Sequence, residues 1–112
     1  MSRAENLASL SHMAEQGDTD AMLKLARVFY QGEHSDPARF FEWTRQAAEA
    51  GDAGAMFNLA LAYYNGTGTQ PDTGKFFEWT LAGAKAGDAT AMYNLALAYD
   101  RGTGTDPDVV RC

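Results

Sequence analysis

Few residues in this sequence pair a reactive type with a spacing that chemistry uses. Gly68-Thr69-Gln70-Pro71-Asp72-Thr73-Gly74-Lys75 offers glycines and a lysine, the parts of a phosphate-cradling loop. Five residues separate its glycines, where such a loop has four, and Phe76 stands where Ser or Thr would hold magnesium. Gly66-Thr67-Gly68 lacks the third glycine of a dinucleotide-binding turn and has Pro71 in its place. Both stretches therefore read as a turn between helices. Cys112, His12 and His34 are too few for a zinc site of the usual four ligands. No Ser or Cys has a His at motif spacing, and no carboxylate pair stands out for acid–base work. Asn65-Gly66-Thr67 matches a glycosylation acceptor, which a cytoplasmic chain would leave unmodified. The expectation is a chain with no catalytic residue, no cofactor and no metal.

Charge and composition narrow the partners. The 112 residues carry a net charge of -6, with the nine basic residues scattered. Nucleic acid and anionic membrane surfaces both need a cationic footprint, so neither is expected as a partner. No apolar run approaches the roughly 20 residues of a membrane helix. The opening MSRAENLASLSHMAEQGD has no apolar core or cleavage site of an export signal. With Cys112 alone, no disulfide can form within the chain, and a reducing, cytoplasmic location is expected.

Any side chains that recognise a partner must be held by elements, and these are stated repeatedly. Gly17–Ala50, Gly51–Ala86 and Gly87–Cys112 are versions of one unit, with their Gly-Asp pairs 34 and 36 residues apart. A period in the mid-thirties marks a stacked-repeat architecture. The expected division is a capping helix over 1–16, units over 17–50 and 51–86, and a third unit over 87–112 that lacks its second helix. On the capping helix Leu7, Leu10, Met13 and Ala14 form a narrow apolar stripe, and Ser9 stands where Trp43 and Trp79 stand later.

Gly17, Gly51 and Gly87 suit the left-handed position after a helix, and Asp18, Asp52 and Asp88 suit the N-cap of the next. In the central unit the first helix is expected over 53–65. Met56, Leu59, Ala60 and Tyr63 form one stripe and Phe57, Leu61 and Tyr64 another, so the helix must be enclosed on several sides. Asp72 caps a second helix over about 73–86, with Phe76, Trp79, Thr80, Gly83 and Ala84 on one side. Arg39 to Ala50 repeats it, after Asp36-Pro37 as N-cap and N1.

These residues resemble the Sel-1-like repeat family, a relative of the tetratricopeptide repeat. The match in the central unit is carried by Ala55, Leu59, Ala60, Tyr63, Gly66, Gly68, Asp72, Lys75, Trp79, Ala84, Gly87 and Asp88. It recurs in the first unit, with Phe29 for Tyr, and in the third through Ala91, Leu95, Ala96, Tyr99, Gly102, Gly104 and Asp108. Phe40 and Phe76 depart from the pattern, which usually has Ala there. The resemblance implies an all-α solenoid of antiparallel helix pairs that acts as an adaptor or scaffold for proteins. Cysteine-rich secreted relatives have been linked to penicillin binding, a branch that a single Cys fits poorly.

If the first helices line a concave face, as in tetratricopeptide solenoids, residues off the Leu-Ala-Tyr stripe point inward. These are Lys24, Arg27 and Tyr30, then Phe57, Asn58, Leu61 and Tyr64, then Tyr93, Asn94, Leu97 and Arg101. Aromatics, amides and a few cations suit an extended peptide or a partner helix. The competing reading makes the Phe, Leu and Tyr core residues and has Asn58 and Asn94 bridge adjacent units. Lys24, Arg27 and Tyr30 carry the functional reading best, because a core does not accept two cations. The alternatives are a self-assembling module or a fragment of a longer repeat array, because the faces of Met92, Leu95, Ala96 and Tyr99 at the C-terminal end have little chain left to cover them; the weakest is a β-lactam-interacting enzyme, as in the cysteine-rich relatives.

Overall fold

One Gly-Asp pair both ends a helix and begins the next, and this joint sets the architecture. In a computed structural model, described over residues 3–30 and 32–101, Gly17, Gly51 and Gly87 take φ values of 98°, 104° and 104°. Such angles stop a helix without a Cβ penalty. The aspartate that follows accepts from the amide three residues on: Ala21 N–H to Asp18 at 3.1 Å, Ala55 N–H to Asp52 at 2.8 Å and Ala91 N–H to Asp88 at 2.7 Å. With so short a joint the two helices must run antiparallel.

The helices are α1 (Arg3–Glu15), α2 (Thr19–Tyr30), α3 (Pro37–Glu49), α4 (Ala53–Asn65), α5 (Thr73–Lys85) and α6 (Ala89–Arg101). There is no strand among the described residues. Asp36 and Asp72 cap α3 and α5, accepting from Arg39 N–H at 3.2 Å and Lys75 N–H at 3.0 Å. Each helix packs chiefly on its sequence neighbours, and the result is an all-α solenoid measuring 57 × 24 × 17 Å.

Two fully buried leucines, Leu25 of α2 and Leu59 of α4, anchor the core with Ala21, Ala47, Ala48 and Ala55. Each such leucine contributes roughly 1.5–3 kcal/mol of burial. Small residues let the axes approach. A Cβ on Gly83 of α5 would lie 3.2 Å from Ala91 Cβ and 3.5 Å from Met56 Cβ, so α5 sits tightly between α4 and α6.

Aromatic pairs repeat along the stack. Tyr30 meets Phe40 with ring centroids at 4.9 Å, and Tyr64 meets Phe76 at 5.0 Å. Between successive pairs, Phe41 meets Tyr63 at 5.4 Å and Phe77 meets Tyr99 at 5.1 Å. Phe40 and Phe76, the departures from the family pattern, are thus buried against a tyrosine of the preceding helix. The family's cationic position serves the same packing, with Arg39 over the Phe29 ring at 5.6 Å and Lys75 over Tyr63 at 5.9 Å.

The α4–α5 loop is seated on the start of α3. Gly68 has φ +72°, and a Cβ there would fall 2.1 Å from the Pro37 carbonyl oxygen and 2.8 Å from Phe41 Cβ. Asp72 N–H then donates to Tyr63 O at 2.8 Å and leads the chain into α5.

Two expectations are corrected. Met13 is 42% exposed, so the buried stripe of α1 is narrower than Leu7, Leu10, Met13 and Ala14; only Ala14 of these is fully covered, with Leu7 and Leu10 half-buried. Phe57, expected on the groove side, is buried with Ala60, Phe76, Ala91 and Ala98, because α5 and α6 close over it. The matches at Gly102, Gly104 and Asp108, Cys112, and the expected loss of the last helix lie outside the described residues.

Candidate interaction groove

The two first-type helices α2 and α4 stand side by side with α3 beneath them, and a groove of about 380 Å³ opens between them. From α2, capped by Asp18, come Leu23, Ala26, Arg27 and Tyr30. From α4, capped by Asp52, come Asn58, Leu61, Ala62 and Asn65, and Thr67 closes one end. Phe40 and Thr44 of α3 form the floor. The helical spacing explains the set: 23, 26, 27 and 30 share one face of α2, and 58, 61, 62 and 65 share one face of α4.

The chemistry of the lining is mixed but one-sided in charge. Leu23, Ala26, Phe40 and Leu61 offer an apolar bed, and Tyr30, 56% exposed, stands on Phe40. Arg27 supplies a guanidinium, Asn58 and Asn65 supply amides, and no carboxylate lines the groove. Among the described residues neither Arg27 nor Lys24 enters an ion pair. The Thr44 hydroxyl is buried without a hydrogen-bond partner, as is that of Thr80 at the same register of α5.

Of the residues expected on this face, the fold brings Arg27, Tyr30, Asn58 and Leu61 together. Lys24 is exposed on α2 outside the lining. Tyr64 is half exposed against Phe76. Tyr93, Asn94, Leu97 and Arg101 lie on α6, away from this groove. There Tyr93 is 67% exposed, Leu97 is half-buried, Arg101 is exposed, and Asn94 Nδ2 donates to the Thr90 carbonyl at 2.8 Å. That bond stays within α6, so this amide does not bridge units. The rest of the lining, Leu23, Ala26, Phe40, Thr44, Ala62, Asn65 and Thr67, was not expected there. Phe40 had a visible signal, as a large ring where the family carries Ala.

The repeat register shows why the groove opens at this point. Counting 34 residues on from α2, Leu23 becomes Phe57 and Arg27 becomes Leu61. Phe57 is buried on Phe76 and Ala91, filling with a ring the space that Leu23 leaves open.

Charge elsewhere is a surface matter. On the outer side of α3, Arg45 donates to Glu42 and, at 2.9 and 3.0 Å, to Glu49. The hydrogen bond from Arg45 holds the Glu42 carboxyl below its usual value, and both carboxylates raise Arg45. Among the described residues no three His, Cys, Asp or Glu side chains are grouped to hold a metal ion, and no helix is long and apolar enough to cross a membrane.

Comparison with known proteins follows the same repeat. The Sel1 repeat family matches residues 19–52, 53–88 and 89–112. Among solved structures, a protective antigen of uropathogenic Escherichia coli with an SLR fold is 30% identical with a TM-score of 0.81. The match covers 93% of this chain and 22% of the antigen, so the chain spans about a fifth of that protein's length. A Sel1 repeat protein from Oxalobacter formigenes is 31% identical with a TM-score of 0.80, over 90% of this chain and 77% of that one. No curated protein sequence matches.

Proposed function

The chain belongs to the Sel1 repeat family, whose repeats generally serve protein interaction, and on that footing we propose that it is a non-catalytic, cytoplasmic adaptor holding a peptide segment of a partner protein between α2 and α4. The observation that carries this reading is the groove itself. Its apolar floor would take side chains, and the amides of Asn58 and Asn65 on the wall suit the backbone of an extended segment. Four of the side chains expected to recognise a partner line it.

The test is to pan a displayed library of random peptides on the intact chain and to measure the enriched peptides by fluorescence anisotropy. Asn58→Trp fills the groove from an exposed position without changing charge. The reading expects that substitution to abolish binding while leaving helicity and melting unchanged. Enrichment of nothing, or of peptides indifferent to Asn58→Trp, sinks it.

A second reading, self-association through α6, has an observation of its own. Met92 is 50% exposed and Tyr93 67%, whereas Met22 and Phe57, at the matching registers of α2 and α4, are 6% and 7% exposed. Sedimentation over a concentration series tests it, and a strict monomer at the highest concentration refutes it.

A further inference from the structure

We infer that the occupant of the α2–α4 groove is an acidic segment: an extended peptide with a carboxylate side chain for Arg27 and a neighbouring aliphatic or aromatic side chain for the floor at Ala26 and Phe40. This rests on the groove being the binding site and adds the chemistry of what it binds.

Charge complementarity carries the argument. In a chain of net charge -6, the groove is lined by a cation and by no carboxylate. Arg27 meets no acidic partner among the described residues, although most of this chain's charge is acidic. Arg39, by contrast, is paired with Asp36, the N-cap of its helix, and Arg45 with Glu42 and Glu49 on the same helix. An exposed, unpaired guanidinium at the edge of an apolar floor favours a carboxylate that can meet its planar fork. Lys24 lies one turn before Arg27 on α2 and adds a second cation at the approach, which speeds encounter with an acidic segment more than it tightens the complex.

The neighbouring register argues the same way by contrast. At Leu61, the equivalent of Arg27, the cation is gone, and at Phe57, the equivalent of Leu23, the space is filled. Among the described first helices, α2 alone joins a cation to an open floor. The specificity is thus written in two substitutions between otherwise matching helices: Leu23 keeps the floor open, and Arg27 sets the sign of the guest.

The experiment uses the intact chain and peptides enriched from the displayed random library. Each enriched peptide is resynthesised with Asp and Glu replaced by Asn and Gln. Its affinity is measured by fluorescence anisotropy for the native chain, Arg27→Gln and Asn58→Trp, at low and high salt. The expected result is enrichment of acidic–apolar sequences. Their affinity falls about ten-fold with Arg27→Gln, as for loss of one charge-assisted hydrogen bond. It falls equally with the amide peptides and drops as salt rises. Binding that survives Arg27→Gln and the amide peptides but is lost in Asn58→Trp overturns the acidic assignment and leaves the groove reading intact. Binding indifferent to Asn58→Trp, or no binding at all, overturns both.

Discussion

Gly68 gives the sharpest test of how successive helix pairs are locked together. Replacing Gly51 by Ala forces a Cβ onto a residue at φ +104°, but no atom lies within 4 Å of it. The cost is backbone strain alone, about 1–2 kcal/mol. Replacing Gly68 by Ala incurs similar strain at φ +72° and also drives the new methyl to 2.1 Å from the Pro37 carbonyl oxygen and 2.7 Å from its carbon. Those are backbone atoms of the first turn of α3, so the loop must lift off α3. Overpacking of that kind adds about 1–3 kcal/mol. Gly68→Ala should therefore cost roughly twice what Gly51→Ala costs, at about 4–8 °C of melting temperature per kcal/mol for a chain of this size. Urea unfolding followed by far-UV circular dichroism gives both values. Equal losses for the two variants would falsify the seating of the loop on α3. Because Thr67 closes the groove, Gly68→Ala should also weaken any peptide held there.

Leu59→Ala should cost about 2–5 kcal/mol in urea unfolding, since Leu59 is fully buried between α2, α3 and α5 contacts. A loss below 1 kcal/mol would mean that the site collapses freely. Thr80→Val should raise stability by about 1 kcal/mol, because it removes a buried hydroxyl with no partner; a destabilised variant would show that the hydroxyl is bonded after all. The Glu42 carboxyl is held low by Arg45, so its contribution is full above the ordinary glutamate range and is lost as pH falls through the lowered value. As an exposed pair it is worth less than about 1 kcal/mol and is screened by salt. Glu42→Gln should thus lower the melting temperature slightly near pH 7, by an amount that shrinks as the pH falls through the lowered value. A difference that persists in acid would refute that linkage.

Local signals were legible in the sequence. The Gly-Asp joints, the Asp36 and Asp72 caps and the span of α4 each depend on a few neighbouring residues, and they appear where those residues require. The groove was legible in part, because it is a property of register between helices rather than of one helix. Arg27 and Asn58 could be assigned to a face by spacing. Phe57 could not, since its burial depends on α5 and α6 closing over one side of α4. Asn65 shares the face of Asn58 and Leu61, but Thr67 enters the lining only because the following loop folds back toward α3, a contact that no local periodicity encodes.

The sequential packing of this solenoid also bears on its birth. Every helix packs chiefly on a neighbour in sequence, so no part of the emerging polypeptide must wait for a distant stretch to leave the ribosome. Local contacts close small loops and form early, and domains at the emerging end can consolidate while synthesis continues. Each Gly-Asp joint then marks a stopping point at which the completed helices are already packed and the next one adds onto a finished surface.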